Sequence, residues 1–286
     1  MSDDSVTPHV SVGIIGFGAF GRLMAQHLRS HFQVRAYDPA FLPGPFSEMP
    51  DITLTSLEVA AGSSIVILAT PVSALDETVS AIRPLLRPGA LVLDVGSVKT
   101  VPAEIMRRGL PQNVDIIATH PLFGPQSARD GIVGLKIAIC PIRGNKSPRV
   151  AAFLRGVLGL DVIVTTPERH DREAAMVQGL THLIAKVLVQ MEPLPKRLTT
   201  RSFDLLLEAV DMVRHDAPEV FHAIERTNPY SGEVRRRFFD LAYALDAELG
   251  ATLSSTPSRS LAAFGRGARQ RSAPKSQDAI APINSN

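Results

Sequence analysis

An apolar run from Val10 to Ile15 leads directly into Gly16-Phe17-Gly18-Ala19-Phe20-Gly21, and a helical pattern then closes on Asp38. This order of strand, tight turn, helix and second strand admits few folds. In Gly-x-Gly-x-x-Gly the first glycine permits the sharp bend, the second lets the backbone approach a pyrophosphate, and the third lets helix and strand pack closely. The helix N terminus, with free N–H groups and the positive end of the macrodipole, then receives the anion. Phe20, Leu23, Met24 and Leu28 recur at helical spacing. Residues 32–37 read as a strand delivering Asp38 to its end, where an acid hydrogen-bonds a ribose 2′-hydroxyl and repels a 2′-phosphate. NAD is therefore expected rather than NADP. The expected cofactor site is Gly16, Phe17, Gly18, Ala19, Phe20, Gly21 and Asp38, joined by Thr70, Pro71 and Ser97 from later strand ends.

Beyond a proline-rich stretch expected as a loop (Pro39, Pro43, Pro45, Pro50), apolar strands alternate with helical patterns. One strand ends at Thr70-Pro71, one at Gly96-Ser97, and one, ending at Ala118, delivers Thr119-His120-Pro121. A strand from Lys136 to Pro141, a helix near 148–158 and a strand at 161–164 complete the set. This alternation predicts an α/β fold with a Rossmann-type, doubly wound parallel sheet. Ligands of such sheets bind outside the carboxyl ends of the strands, so Gly16, Asp38, Thr70, Ser97 and His120 should line one crevice. Ser97 and His120 are the members able to exchange protons or hydrogen bonds with a substrate.

At Thr166-Pro167 the pattern turns helical, with Thr166 as cap and Pro167 in the first turn. The predicted division is a dinucleotide-binding domain over 1–166, an all-α domain over 167–250 and a disordered basic tail over 251–286. One helix is expected from Glu168 to Met191, with Gln178, His182 and Lys186 at i, i+4 and i+8 on one stripe and His182 at the domain interface. Further helices are expected from about 202, 218 and 230. The last carries Val234, Phe238, Leu241, Leu245 and Leu249 on one side, a stripe that must pack on something. A helical domain of this kind often supplies a dimer interface, so a homodimer is expected.

The 286 residues suffice for two domains. After Gly250 five basic residues face Asp278 alone, a net +4 in a chain of +2, which leaves −2 for the rest. An acidic body without a basic, aromatic stripe is not expected to bind nucleic acid. The single Cys140 excludes an internal disulfide and reads as a buried apolar residue in a reducing compartment. No signal pattern begins the chain and no apolar run nears the ~20 residues that span a bilayer. A cytoplasmic protein without membrane attachment or metal is expected.

Three motifs sharpen the functional expectation: Asp94-Val95-Gly96-Ser97-Val98-Lys99, His120-Pro121-Leu122-Phe123-Gly124-Pro125, and His170-Asp171 followed by Gln178-Gly179-Leu180-Thr181-His182. With them the chain, from about Val10 to Leu249, resembles the prephenate/arogenate dehydrogenase family of tyrosine biosynthesis. The resemblance implies NAD(P)-linked oxidative decarboxylation of a cyclohexadienol. His120 is then acceptor of the ring-hydroxyl proton, Ser97 assists, and His182 contributes from the helices. Arg201, Gln178 and Gln126 are assigned to the substrate. Where many members carry Gly-Gly-Phe-Arg-Asp, this chain has Leu198-Thr199-Thr200-Arg201-Ser202-Phe203. Arg201 is the nearest candidate for a substrate carboxylate, and no residue decides between prephenate and arogenate. The alternatives are a β-hydroxyacid-type dehydrogenase, whose helical lysine would follow a glycine turn that Lys186 lacks, and an NAD-sensing module without turnover.

Overall fold

All five positions of the first strand, β1 (Ser11–Ile15), are buried, as a central strand covered on both faces requires. The computed structural model describes residues 10–46 and 49–254; apart from residues 251–254, the expected tail lies outside them. The other strands are β2 (Gln33–Tyr37), β3 (Gly44–Phe46), β4 (Met49–Leu54), β5 (Ile65–Leu68), β6 (Leu91–Asp94), β7 (Asp115–Pro121), β8 (Lys136–Arg143) and β9 (Asp161–Val164). They form one sheet in the order β3-β4-β2-β1-β5-β6-β7-β8-β9. From β4 to β7 across the sheet every pairing is parallel, whereas β3 against β4 and β8 against β7 are antiparallel. The chain passes from β1 to β2 on one side and later returns to β5 on the other. The topological switch point, where such sheets open a crevice, thus lies between β1 and β5.

The helices are α1 (Ala19–Leu28), α2 (Leu57–Ala61), α3 (Leu75–Ile82), α4 (Thr100–Gly109), α5 (Ser147–Gly156), α6 (Pro167–Ala174), α7 (Leu180–Gln190), α8 (Arg201–Arg214), α9 (Pro218–His222) and α10 (Ser231–Ser254). Period-2 alternation divides the apolar residues between two cores. Val12, Ile14, Ile67 and Leu93 belong to one, and Ile15, Val66, Leu68 and Val92 to the other. One compact unit ends at Asp240 and a second begins at Leu241, within α10. Among the described residues no helix is long and apolar enough to cross a membrane.

Three expectations need correction. The proline-rich stretch is not only a loop: its later part carries the antiparallel strands β3 and β4, with Pro45 on the edge strand, where proline is tolerated. The strand expected to end at Ala118 runs on through His120 to Pro121, because β8 pairs with it as far as His120↔Ala138 and Pro121↔Ile137. The single helix from 168 to 191 is interrupted by a π-helical turn, Ala175–Gly179. Gln178, within that turn, reaches His120, whereas His182 beyond it faces Asp216. On α10, Leu241, Leu245 and Leu249 are largely exposed in the single chain.

Candidate active site

At the switch point, Gly16 has φ +97°, and a Cβ there would lie 2.7 Å from the Ala69 carbonyl. A Cβ on Gly21 would lie 2.2 Å from the Gly16 carbonyl oxygen. The fold itself therefore demands both glycines. Gly18 differs, since a Cβ there would meet nothing within 4 Å. It faces open space at the N terminus of α1, which has no side-chain cap and no acid in its first turn. A pyrophosphate fits this cradle, since the helix end offers it N–H donors without a competing carboxylate. Asp38 braces the turn: Oδ2 accepts the Phe17 N–H at 2.8 Å and Oδ1 accepts the Ala40 N–H at 2.9 Å. Each oxygen retains a lone pair for a ribose diol. Phe17 contributes backbone alone; its ring is fully buried, edge-on to Phe41 and Phe46. Thr70 abuts the turn, its N 2.9 Å from where a Gly16 Cβ would stand, while Pro71 is exposed. Ala19 and Phe20 open α1, with Phe20 against Phe123. Gly18→Ala should leave thermal stability within about 0.5 kcal/mol, as a surface change does, yet weaken NAD binding at least tenfold. Calorimetric titration checks this.

The proton-handling groups gather at the ends of β6 and β7. Alternation puts His120 on the same face as Ile116 and Ala118, and it is buried there. Its Nδ1 lies 2.8 Å from Nε2 of His170, whose Nδ1 lies 2.8 Å from Oδ1 of Asp171. Nε2 of His120 faces the Gln178 amide nitrogen at 3.4 Å, and Gln178 Oε1 is buried without a hydrogen-bond partner among the described residues. Burial above all, then the repulsion that a second positive charge would meet beside His170 and Lys99, hold the His120 imidazole well below its ordinary value. It is neutral at physiological pH and can accept a proton.

Asp171 also accepts the backbone N–H groups of Lys99 at 2.7 Å and Thr100 at 2.8 Å. A carboxylate from α6 thereby supplies the cap at the start of α4. Burial pushes the Asp171 carboxyl up, but donors from His170, Thr100 and Lys99 outweigh it, and the group stays below the usual range. Beneath lies Lys99, fully buried, donating to Asp94 and, at 2.5 Å, to the Thr119 carbonyl. Burial drives the Asp94 carboxyl above its ordinary value, with Lys99 and the N–H groups of Gly96 and Thr119 opposing. This pair anchors the loop that presents Ser97, which is half-buried.

The remaining expected residues are dispersed. His182 is buried with Asp216 Oδ2 3.6 Å away and Phe221 beside its ring. Among the described residues no hydrogen bond links it to His120. Burial, then Lys186, lowers its imidazole below the ordinary value. Lys186 sits over the Phe221 ring, 5.5 Å from its centroid. Arg201 opens α8, largely exposed and 3.1 Å from Glu208, and Gln126 is exposed in the turn after β7. The partners that the sequence left without a role are His170, Asp171, Lys99 and Asp94. Their signal was membership of the quoted motifs. Cys140 is buried, its thiol pushed up to about 12 chiefly by burial. Among the described residues no group of three or more metal-capable side chains is placed to hold an ion.

Residues 49–175 match the profile of the family described as "Prephenate dehydrogenase, nucleotide-binding domain". The chain is 26% identical over 202 residues to the "Probable arogenate/prephenate dehydrogenase" of Methanocaldococcus jannaschii, covering 66% of this chain and 44% of that protein. It is 27% identical over 269 residues to the chloroplastic arogenate dehydrogenase 1 of Arabidopsis thaliana, covering 88% of this chain and 41% of the relative. The matched region thus spans less than half the length of these relatives. In fold it is similar to the crystal structure of Aquifex aeolicus prephenate dehydrogenase in complex with hydroxyphenyl propionate and NAD+, with TM-score 0.66, 21% identity, and coverage of 86% and 92% of the two chains. The resemblance carried by the three motifs is borne out.

Proposed function

We infer that this chain is a member of the prephenate/arogenate dehydrogenase family and that it oxidatively decarboxylates prephenate to 4-hydroxyphenylpyruvate or arogenate to tyrosine. The observation that supports this most strongly is His120: a buried, neutral imidazole at a strand mouth, in a sheet whose glycine turn is shaped for a dinucleotide. NAD+, when bound, supplies the hydride acceptor. Gly16, Gly18 and Gly21 with the α1 N terminus hold its pyrophosphate, and Asp38 takes the ribose diol and disfavours NADP. His120 accepts the ring-hydroxyl proton at Nε2, with Ser97 and Gln178 positioning that hydroxyl. The oxidised ring is a vinylogous β-keto acid, and aromatisation drives loss of carbon dioxide without a further group from the protein. Turnover with each substrate tests this: reduced nicotinamide should form with one of them, with higher kcat/KM for NAD+ than for NADP+. A clear advantage for NADP+ would overturn the role given to Asp38.

The helices from Pro167 onward carry the substrate side, as a domain over 167–250. Within it Arg201 receives a substrate carboxylate in place of Glu208. A bidentate guanidinium pair is charge-assisted, and losing one partner costs about 2–5 kcal/mol when the pair is desolvated. Arg201→Ala should raise KM for substrate by tenfold or more without changing the Kd for NAD; an unchanged KM assigns the carboxylate elsewhere. The protein is a cytoplasmic homodimer that binds neither membrane nor nucleic acid. Exposed Val187, Leu205, Leu206 and Met212 on α7 and α8 support self-association. A solution mass of two chains is expected, and a single-chain mass at micromolar concentration would exclude it.

A further inference from the structure

We propose that His170 and Asp171 are positioning residues that complete the proton acceptor: His120 takes the substrate proton at Nε2 while passing its own Nδ1 proton to His170, so that the positive charge comes to rest beside Asp171. With both rings neutral, the contacts fix the resting tautomers. An ionised Asp171 can only accept, and the donors converging on it keep it ionised. The 2.8 Å contact therefore places a proton on Nδ1 of His170. In neutral His170 the other nitrogen, Nε2, is then a lone-pair acceptor, and the 2.8 Å contact to His120 requires a proton on Nδ1 of His120. That leaves Nε2 of His120 bare. The Gln178 amide, its NH2 group 3.4 Å from this atom, fits that tautomer as a donor.

The step balances. The substrate O–H proton bonds to Nε2 of His120, the Nδ1 proton of His120 moves to Nε2 of His170, and Nδ1 of His170 keeps its proton toward Asp171. His120 ends neutral with the proton on Nε2, and His170 ends as the cation. The charge leaves a buried ring with a buried ammonium nearby and settles in contact with a carboxylate. After product departs, the reverse shift returns the proton through His120.

This inference rests on His120 being the proton acceptor of the proposed reaction, and nitrogen NMR of labelled wild-type protein tests its ground state without any turnover. The expected spectrum shows Nδ1 protonated on both rings and Nε2 bare on both. A resting His120 with its proton on Nε2 would overturn the relay, whichever substrate the enzyme uses. With turnover, His170→Phe should lower kcat by about tenfold to a thousandfold, as loss of the group that orients a catalytic imidazole does, with KM within twofold. A proton inventory should change from two protons in flight in the wild type to one. His170→Gln can accept from Nδ1 but cannot take the proton, so it should restore part of kcat while keeping the one-proton inventory. Unchanged kcat and a two-proton inventory in His170→Phe would overturn the proposal.

Discussion

His120→Asn is expected to lower kcat by about 10²–10⁴-fold, the usual contribution of a general base, while the Kd for NAD stays unchanged. Asparagine keeps polarity and approximate size but cannot take the proton, so substrate binding should survive. In the wild type, kcat/KM should fall as pH drops through the His120 value, which burial and then repulsion beside His170 and Lys99 place well below the usual imidazole range. The acid limb therefore lies below pH ~6.5, the unperturbed imidazole value, and it should vanish in the variant. The same depression has a stability sign. Unfolded His120 takes up a proton near pH ~6.5 whereas the folded ring does not, so its contribution is present above that pH and lost as pH falls toward the folded value. An Asn variant with near wild-type kcat and the same acid limb would move the base elsewhere.

Lys99→Met is expected to cost about 3–5 kcal/mol of unfolding free energy, because it leaves the buried Asp94 carboxylate without its cation. The favourable Coulomb term disappears while the desolvation of Asp94 remains. Asp94 in the variant should titrate still higher than in the wild type, where burial already raises it. The folded variant then binds a proton more tightly than the unfolded chain, so its deficit should grow as pH rises through the folded Asp94 value. Adding Asp94→Asn should recover a substantial part of the loss, since removing both charges of a buried pair costs far less than removing one. Denaturant unfolding of the three variants at two pH values measures this. A Lys99→Met protein as stable as wild type would show that the pair does not hold the Ser97 loop.

The parts of the site legible in the sequence are those fixed by local backbone chemistry. Gly16, Gly21 and Asp38 act within one strand–turn–helix unit, so spacing alone located them. Ser97 and His120 follow from the rule that parallel strands present ligands at their carboxyl ends, although β7 proved longer because its antiparallel partner β8, which begins only at Lys136, pairs with it through Pro121. The relay partners were illegible for a physical reason. His170 and Asp171 are adjacent, and neighbouring helix positions do not share a face, so no periodicity announces that both serve one imidazole fifty residues away. The π-helical turn at 175–179 was equally hidden, because the apolar pattern continues through it. Gln178, which reaches His120, lies in that turn, and His182, which faces Asp216, follows it. Such turns are frequent at functional sites. Lys99 was invisible because a lysine in a loop reads as exposed, whereas this one is buried and paired beneath the crevice.

The most direct measurement is the stoichiometry of reduced nicotinamide to carbon dioxide, released from ring-carboxylate-labelled substrate, during turnover of the purified full chain with NAD+. We predict one of each per substrate consumed, with prephenate or with arogenate, and loss of both together in His120→Asn. Reduced nicotinamide without carbon dioxide would point to a β-hydroxyacid-type oxidation. Tight NAD binding with neither product from either substrate would contradict the enzymatic account and leave a sensing module.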